Sequence, residues 1–265
     1  MAEFQSSKRL CIGILTLNEE RRIGRCIESA RFADQIIVMD SGSKDATCDI
    51  ASQMGAEVHH EPDWQGFAAQ RNRMMPLVRC DYFLFLDADE IITDALRAEI
   101  QQAVASGENA AWKVYCDQVA FGKALSRMAK TAGGVKRLFR TDNIQDFTGV
   151  VHEYARLKDE SVPTRVFKAR LLHYSRDTVY ESLLKLAQYA QLGARRRALT
   201  GKKGGVLRGL GSALSNFVRF YVFRRGFLCG AHGFLFCLLV ALECFFRYAI
   251  LKYDPPQAGN AVAKR

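Results

Sequence analysis

Two short apolar runs, each closed by aspartate, constrain this chain more than any other feature. Gln35 to Asp40 (QIIVMD) and Tyr82 to Leu86, followed by Asp87-Ala88-Asp89 (YFLFLDAD), are too continuously apolar for a strand with one wet face. Runs of this kind, alternating with helical segments, belong to a parallel sheet covered on both faces. Cys11 to Leu17 and Ala56 to His60 supply two more strands. Between them Ile23, Ile27 and Ala30 recur at helical spacing, and Asp45 to Met54 reads as a helix stopped by Gly55. In such sheets a ligand sits beyond the carboxyl ends of the strands. Here three strand ends carry polar groups: Asn18-Glu19, Asp40 and Asp87-Ala88-Asp89.

Neither G-x-G-x-x-G after the first strand nor G-x-x-x-x-G-K-S/T occurs, so dinucleotide-binding and P-loop readings lose their main support. What remains is a nucleotide-sized crevice of carboxylates. These would repel a diphosphate unless a divalent cation stood between them, and magnesium or manganese suits oxygen ligands best. Plainer roles compete at each position. Asp87 or Asp89 could cap a helix expected over Ile91 to Val104, and Asp40 could serve the turn Ser41-Gly42-Ser43. Recurrence at successive strand ends favours the functional role.

The chain carries Thr16-Leu17-Asn18-Glu19-Glu20, Ile37-Val38-Met39-Asp40-Ser41-Gly42-Ser43-Lys44-Asp45, Gln70-Arg71-Asn72 and Leu86-Asp87-Ala88-Asp89-Glu90 in that order. Arg137-Leu138-Phe139-Arg140, Gly149-Val150-Val151-His152-Glu153 and Arg225-Gly226-Phe227-Leu228 follow. This series resembles the family-two inverting glycosyltransferases of the GT-A fold. It is similar in particular to the lipopolysaccharide core β-1,4-glucosyltransferases of Gram-negative bacteria, which add a glucose to an inner-core heptose. The resemblance implies an α/β, GT-A-type nucleotide-sugar-binding domain. By position it implies that Thr16, Asn18 and Glu19 line the base and ribose pocket and that Asp40 accepts a hydrogen bond from the uracil ring. It places Arg71 near the base or diphosphate and Asp87 near the ribose or metal. Asp89 would bind the magnesium or manganese ion that bridges the diphosphate. Lys44 and Ala46 depart from the Thr and Gly common in relatives, and neither change removes a carboxylate.

An inverting transfer needs a general base across the sugar from the leaving group. The resemblance selects Glu153, with Asp146 and Asp117 in reserve; its plain reading is an exposed residue in an alternating edge strand, V-V-H-E-Y-A-R. His152 is assigned to orienting Glu153 or touching the acceptor. His173 could reach the diphosphate or metal, with a satisfied core histidine as the preferred reading, and His59-His60 are read as strand and turn. Ala111 to Phe121 and Gly134 to Arg140 read as a strand pair shaping the acceptor side, in which Arg137 and Arg140 face opposite ways.

Charge divides the chain. Residues 1–167 carry 21 basic and 24 acidic side chains, whereas residues 168–265 carry 17 and 4. The expectation is a catalytic domain over 1–175 and a basic, helical, membrane-binding extension over 176–265. Thr178 and Glu181 form a capping box for a helix ending in Arg195-Arg196-Arg197. A second helix sets Val206, Leu210, Leu214, Phe217 and Tyr221 on one stripe and Arg208, Ser212, Ser215 and Arg219 on another. Gly226 to Leu242 holds 17 residues without formal charge, after which Glu243 and Arg247 interrupt an apolar run to Leu251.

These features predict a monotopic or interfacial anchor on anionic lipid at the cytoplasmic face of the bacterial inner membrane. A true span is the second reading, and a buried helix at an oligomer interface the soluble one. The aromatics lie in helical stripes without a nucleic-acid motif, so no nucleic-acid partner is expected. Eight cysteines without C-x-x-C read as reduced core residues, and Met1 to Leu10 is unlike a secretory signal. The combined expectation is a metal-dependent inverting hexosyltransferase using a UDP-sugar donor, UDP-glucose, and a lipid-linked saccharide acceptor. The alternatives are a non-catalytic membrane-bound nucleotide- or carbohydrate-binding protein and a nucleotidyltransferase on a similar sheet.

Overall fold

The computed structural model describes residues 9–128, 134–149 and 154–254. They group into two compact units. One comprises the described residues of Met1–Cys116 and Gly133–His173, the other those of Asp117–Ala132 and Tyr174–Ala263. Eleven strands occur among the described residues: β1 (Leu10–Thr16), β2 (Gln35–Asp40), β3 (Glu57–His60), β4 (Tyr82–Asp87), β5 (Glu90–Ile92), β6 (Ala111–Ala120), β7 (Lys123–Ala124), β8 (Val135–Arg140), β9 (Ile144–Thr148), β10 (Tyr154–Leu157) and β11 (Thr164–Arg176). The main sheet runs β3-β2-β1-β4-β8-β6-β11-β5, with β7 paired to β6, while β9 and β10 form a separate ribbon. The first four strands are mutually parallel, and β8 joins β4 antiparallel. This is the mixed α/β, GT-A-type architecture.

Alternation along β1 divides the core of the first unit. Leu10, Ile12 and Ile14 pack with Ile23 and Ile27 of α1 (Ile23–Ala30), whereas Cys11 and Leu15 join Ile37, Phe83 and Phe85 on the opposite face. The short α2 (Thr47–Gln53) follows β2, and α3 (Phe67–Met74) covers the second face through Met74. Gly13 is required at the centre of β1, because a Cβ there would meet Met74 Sδ at 2.2 Å and the Phe83 ring at 2.7 Å.

The helix expected from Ile91 starts later than its periodicity implies. Glu90, Ile91 and Ile92 instead form β5, paired with His173, Leu172 and Leu171 of β11. α4 (Asp94–Ala105) begins after Thr93, whose side chain accepts the Leu96 N–H at 3.3 Å. Pairing with a strand distant in sequence overrides a local pattern that fits either structure. It also removes the capping role open to Asp87 and Asp89, since Thr93 is the cap.

The second unit contains α5 (Val179–Leu199), α6 (Val206–Val218) and α7 (Gly230–Tyr253). Thr178 caps α5 by accepting the Glu181 N–H at 3.1 Å. Its core gathers Ala120, Leu125, Met128, Cys229, Phe236 and Cys237. Gly226–Tyr253 has a mean hydropathy of 2.1 over its most apolar window and is, among the described residues, the one helical stretch long and apolar enough to cross a membrane. Glu243 and Arg247, which interrupt it, are hydrogen-bonded to each other, and Glu243 lies 3.9 Å from Arg176. All eight cysteines are free thiols.

Candidate active site

Parallel register brings the polar residues of three strand ends to one edge of the sheet. Thr16 lies beside Asp40, and Leu15 beside Asp87. The loops that follow are tied together. Asn18, in a left-handed conformation (φ 55°) that asparagine tolerates, accepts the Lys44 N–H at 2.9 Å and donates its own N–H to Ser43 Oγ at 2.8 Å. The Glu19 N–H donates to Thr47 Oγ1 at 2.8 Å, and the Glu19 carboxylate receives Arg22 at 2.8 Å.

Against these loops lies an open pocket of about 340 Å³, lined by Leu15, Thr16, Leu17, Glu19, Ser41, Trp64, Phe67 and Ala88. Trp64 and Phe67 meet edge to face at 4.9 Å. The Thr16 hydroxyl and the Trp64 indole N–H are buried and have no hydrogen-bond partner among the described residues. Two unsatisfied polar atoms in the wall of one pocket are costly unless something enters it.

Asp40 serves its own turn. Wholly buried, it accepts the Gly42 N–H at 3.0 Å, the Ser43 N–H at 2.9 Å and the Ser43 hydroxyl, and it pairs with His60 Nδ1 at 2.8 Å. His60, read from sequence as a turn residue, is thus the partner of a buried carboxylate. Asp40, Cys48 and His60 bring one donor atom each within 4.8 Å of one another. That set is softer than the carboxylates at β4 and lies at a different strand end.

The β4 end is a network of charges. Asp87 lies between two arginines, Arg71 Nη2 at 3.2 Å and Arg137 Nη2 at 3.7 Å. Both guanidinium groups also lie over the Phe85 ring, at 4.2 and 5.0 Å. Arg71 is only 1% exposed, so its guanidinium acts beneath Asp87. The neighbouring side chains of the Gln70-Arg71-Asn72 motif also hold structure. Gln70 donates to the Glu61 carbonyl at 2.8 Å, and Asn72 exchanges two hydrogen bonds with the Phe147 backbone.

Two further groups complete the network. Glu90, 1% exposed, accepts Arg137 Nη2 at 2.6 Å and the Asp87 N–H at 3.0 Å. Burial pushes its carboxyl above the usual value despite the opposing pull of Arg137. Asp89, 5% exposed, lies 3.3 Å from His173 Nε2. Burial works against a charged imidazole there, but the hydrogen bond to Asp89 and the charges of Asp89, Glu90 and Asp87 outweigh it and raise the His173 pKa above 6.5. The site therefore attracts positive charge, and the residues that could hold a cation there are Asp89, Asp87 beside it and, when neutral, His173. Of the two arginines on the strand read as shaping the acceptor side, Arg137 is held by Glu90 and Arg140 pairs with Asp142. Glu153 and His152 lie outside the described residues.

Residues 11–159 match the family model described as Glycosyl transferase family 2. The chain belongs to that family. Similar proteins include the lipopolysaccharide core biosynthesis glycosyltransferase LpsC of Rhizobium meliloti, 28% identical over 89% of this chain and 89% of its own length. An uncharacterized glycosyltransferase of Rickettsia typhi is 28% identical over 97% of this chain and 91% of its own. Among solved structures, this family-2 glycosyltransferase is similar to Mycobacterium tuberculosis glucosyl-3-phosphoglycerate synthase in complex with Mn2+, uridine diphosphate and phosphoglyceric acid. That likeness covers 42% of this chain and 43% of that chain, at 26% identity and a TM-score of 0.36. S. aureus TarS in complex with UDP-GlcNAc aligns over 66% of this chain and 60% of its own, at 13% identity and a TM-score of 0.48.

Proposed function

We propose that this glycosyltransferase is metal-dependent and inverting, and that it moves a hexose, glucose from UDP-glucose, to a lipid-linked saccharide of the lipopolysaccharide inner core. The work would take place at the cytoplasmic face of the bacterial inner membrane, with residues 1–175 catalytic and 176–265 forming the attachment. The observation that carries the donor reading is the pocket beyond β1 and β2, with its unsatisfied Thr16 hydroxyl and Trp64 indole N–H. An indole N–H only donates, so it suits an acceptor such as a uracil carbonyl. The name of LpsC, similar over 89% of the chain, supports the lipopolysaccharide acceptor.

Asp89 and His173, with Asp87 beside them, would hold magnesium or manganese, which when bound supplies Lewis-acid stabilisation of the departing diphosphate. The protein's own groups prepare that place. Arg71 and Arg137 fix the Asp87 carboxylate from two sides, and Glu90 holds both Arg137 and the Asp87 backbone. Thr16, Asn18 and Glu19 are assigned to the nucleoside. Glu153, on the family resemblance, is assigned to take the proton of the attacking acceptor hydroxyl.

Calorimetry of UDP binding, with and without manganese, tests the reading on the wild type and on Asp89→Ala. Manganese-dependent binding lost in the variant is the expected result. Absence of UDP binding under every metal condition, or equal binding by the variant, would overturn it.

A further inference from the structure

The second unit carries its apolar side chains on the wrong face for a water-soluble bundle. On α6, Leu207 is 85% exposed, Leu210 52% and Leu214 66%. Phe217, near the end of α6, packs against the core of the unit, but the rest of the inward side is small or polar. Gly209 is buried, and a Cβ there would meet the Phe245 ring and carbonyl of α7 at 3.0 Å. Half-buried Asn216 donates to the Ser212 carbonyl within the helix at 2.8 Å. A helix in water turns its leucines towards its neighbours; α6 turns Leu207, Leu210 and Leu214 outward. Beyond its end the exposed apolar surface continues through Val222, Phe223 (76% exposed), Phe227 and Leu228.

Charge follows the same inversion. Glu243 and Arg247 are turned inward on each other, and the Arg247 side chain lies so close to Gly193 of α5 that a Cβ there would meet its Nε at 2.2 Å. Exposed cations flank the apolar face in sequence: Lys202, Lys203 and Arg208 at one end, Arg219 and Arg225 at the other. From Tyr174 to Asp254 there are 13 Lys and Arg against 4 Asp and Glu.

We infer that the outer face of α6, with Val222, Phe223, Phe227 and Leu228, is inserted into the headgroup and upper acyl layer of an anionic bilayer, in the plane of the membrane. The leucines and phenylalanines enter the acyl boundary, and the flanking arginines and lysines reach back to the lipid phosphates. A second copy of the chain is the poorer occupant, because two such faces would bring like-charged rims together. The inference deepens the membrane attachment proposed above by naming the surface that makes it.

The test uses the full chain and vesicles of phosphatidylethanolamine with phosphatidylglycerol, against vesicles of phosphatidylcholine alone. The wild type is expected to sediment with the anionic vesicles, less in high salt, and weakly with the neutral ones. Leu207→Glu/Leu214→Glu should reduce vesicle binding about tenfold or more, while Leu207→Met/Leu214→Met retains it. A tryptophan in Leu214→Trp should be quenched by lipids brominated near the top of the acyl chain. Circular dichroism and UDP calorimetry on each variant separate loss of folding, or failure of the donor reading, from loss of membrane contact. Wild type that stays in solution with anionic vesicles, or a double-Glu variant that binds as well as wild type, would overturn the inference. So would a wild-type dimer that the double-Glu change splits without any vesicle binding.

Discussion

The two units both bury charge, but to different ends. In the α/β unit Asp87, Asp89, Glu90, Arg71, Arg137 and His173 converge where strands terminate, beside a pocket. In the helical unit Arg176, Glu243 and Arg247 converge where helices pack, and the surface left outside is leucine and phenylalanine. A buried ion network is thus no signature of a site by itself. What distinguishes the first network is its place at a strand end, where Ala88, between Asp87 and Asp89, lines a pocket, whereas the second lies within packed helices.

The sharpest way to break this distinction is Asp89→Asn, which keeps the volume and removes the charge. Turnover is expected to fall roughly 10³-fold, the scale of losing several kcal/mol of leaving-group stabilisation, with the melting temperature little changed. Measuring UDP release alongside thermal unfolding checks both halves. A variant that loses stability and keeps activity would make the β4 network structural, like that of the helices.

Next in size is Glu90→Ala. Removing Glu90 leaves Arg137 its longer, 3.7 Å contact to Asp87 and is expected to cost about 3 kcal/mol. Replacing both partners with apolar residues, Glu90→Leu/Arg137→Met, should recover part of that. Glu243→Ala, at a side chain 15% exposed against 2% for Glu90, is expected to cost less. Denaturant titrations of the three variants rank the networks, and equal losses for Glu90→Ala and Glu243→Ala would erase the difference in burial on which the ranking rests.

The helical unit offers a smaller, paired test. Gly209→Leu would force a side chain against Phe245, whose ring and carbonyl are both 3.0 Å from the Cβ position, and should cost about 1–3 kcal/mol. Gly211, two residues on, has nothing within 4 Å, so Gly211→Ala should stabilise by up to about 1 kcal/mol through helix propensity. Unfolding curves in detergent distinguish them. The same sign for both would mean that α6 does not approach α7 through Gly209.

How much of this was legible in the sequence differs between the units. Strands β1 to β4 announced themselves, because a strand buried on both faces has to be apolar throughout, and the aspartates at their ends followed from that. β5 did not: three residues, Glu90 to Ile92, carry no period of their own and are strand only because β11 lies beside them. The pairing of Glu90 with Arg137 stayed hidden for the same reason, as it spans 47 residues. Proximity to Asp89 in D-A-D-E was the one available hint for Glu90. For His173 the sequence leaves a reach to the metal open but favours a core role, since L-L-H-Y gives no sign of the register that sets it opposite Glu90. Trp64 gave no signal in the absence of a strand or helix to place it. In the helical unit periodicity placed Val206, Leu210, Leu214, Phe217 and Tyr221 on one stripe. Phe217 and Tyr221 pack on the core while Leu210 and Leu214, with Leu207, are exposed, because a hydrophobic pattern leaves the environment of each side chain open.

The smallest expected effect lies in the latch between the loops after β1 and β2. Asp45 accepts the Thr47 N–H at 3.1 Å and the Glu20 N–H at 3.3 Å. Slight burial works to raise its pKa, but hydrogen bonds from the Thr47 side chain and backbone and from the Glu20 N–H prevail and hold it below 3.8. A carboxylate depressed on folding contributes stability that is fully present above its unfolded pKa and is lost as pH falls through its folded one. Asp45→Asn should therefore lower the melting temperature slightly at neutral pH, and the gap between variant and wild type should close below pH 3.8. The latch orders Asn18 and Glu19, so the variant should also weaken UDP binding at neutral pH more than its small effect on stability implies. A gap that persists undiminished at low pH would assign the effect to packing rather than charge.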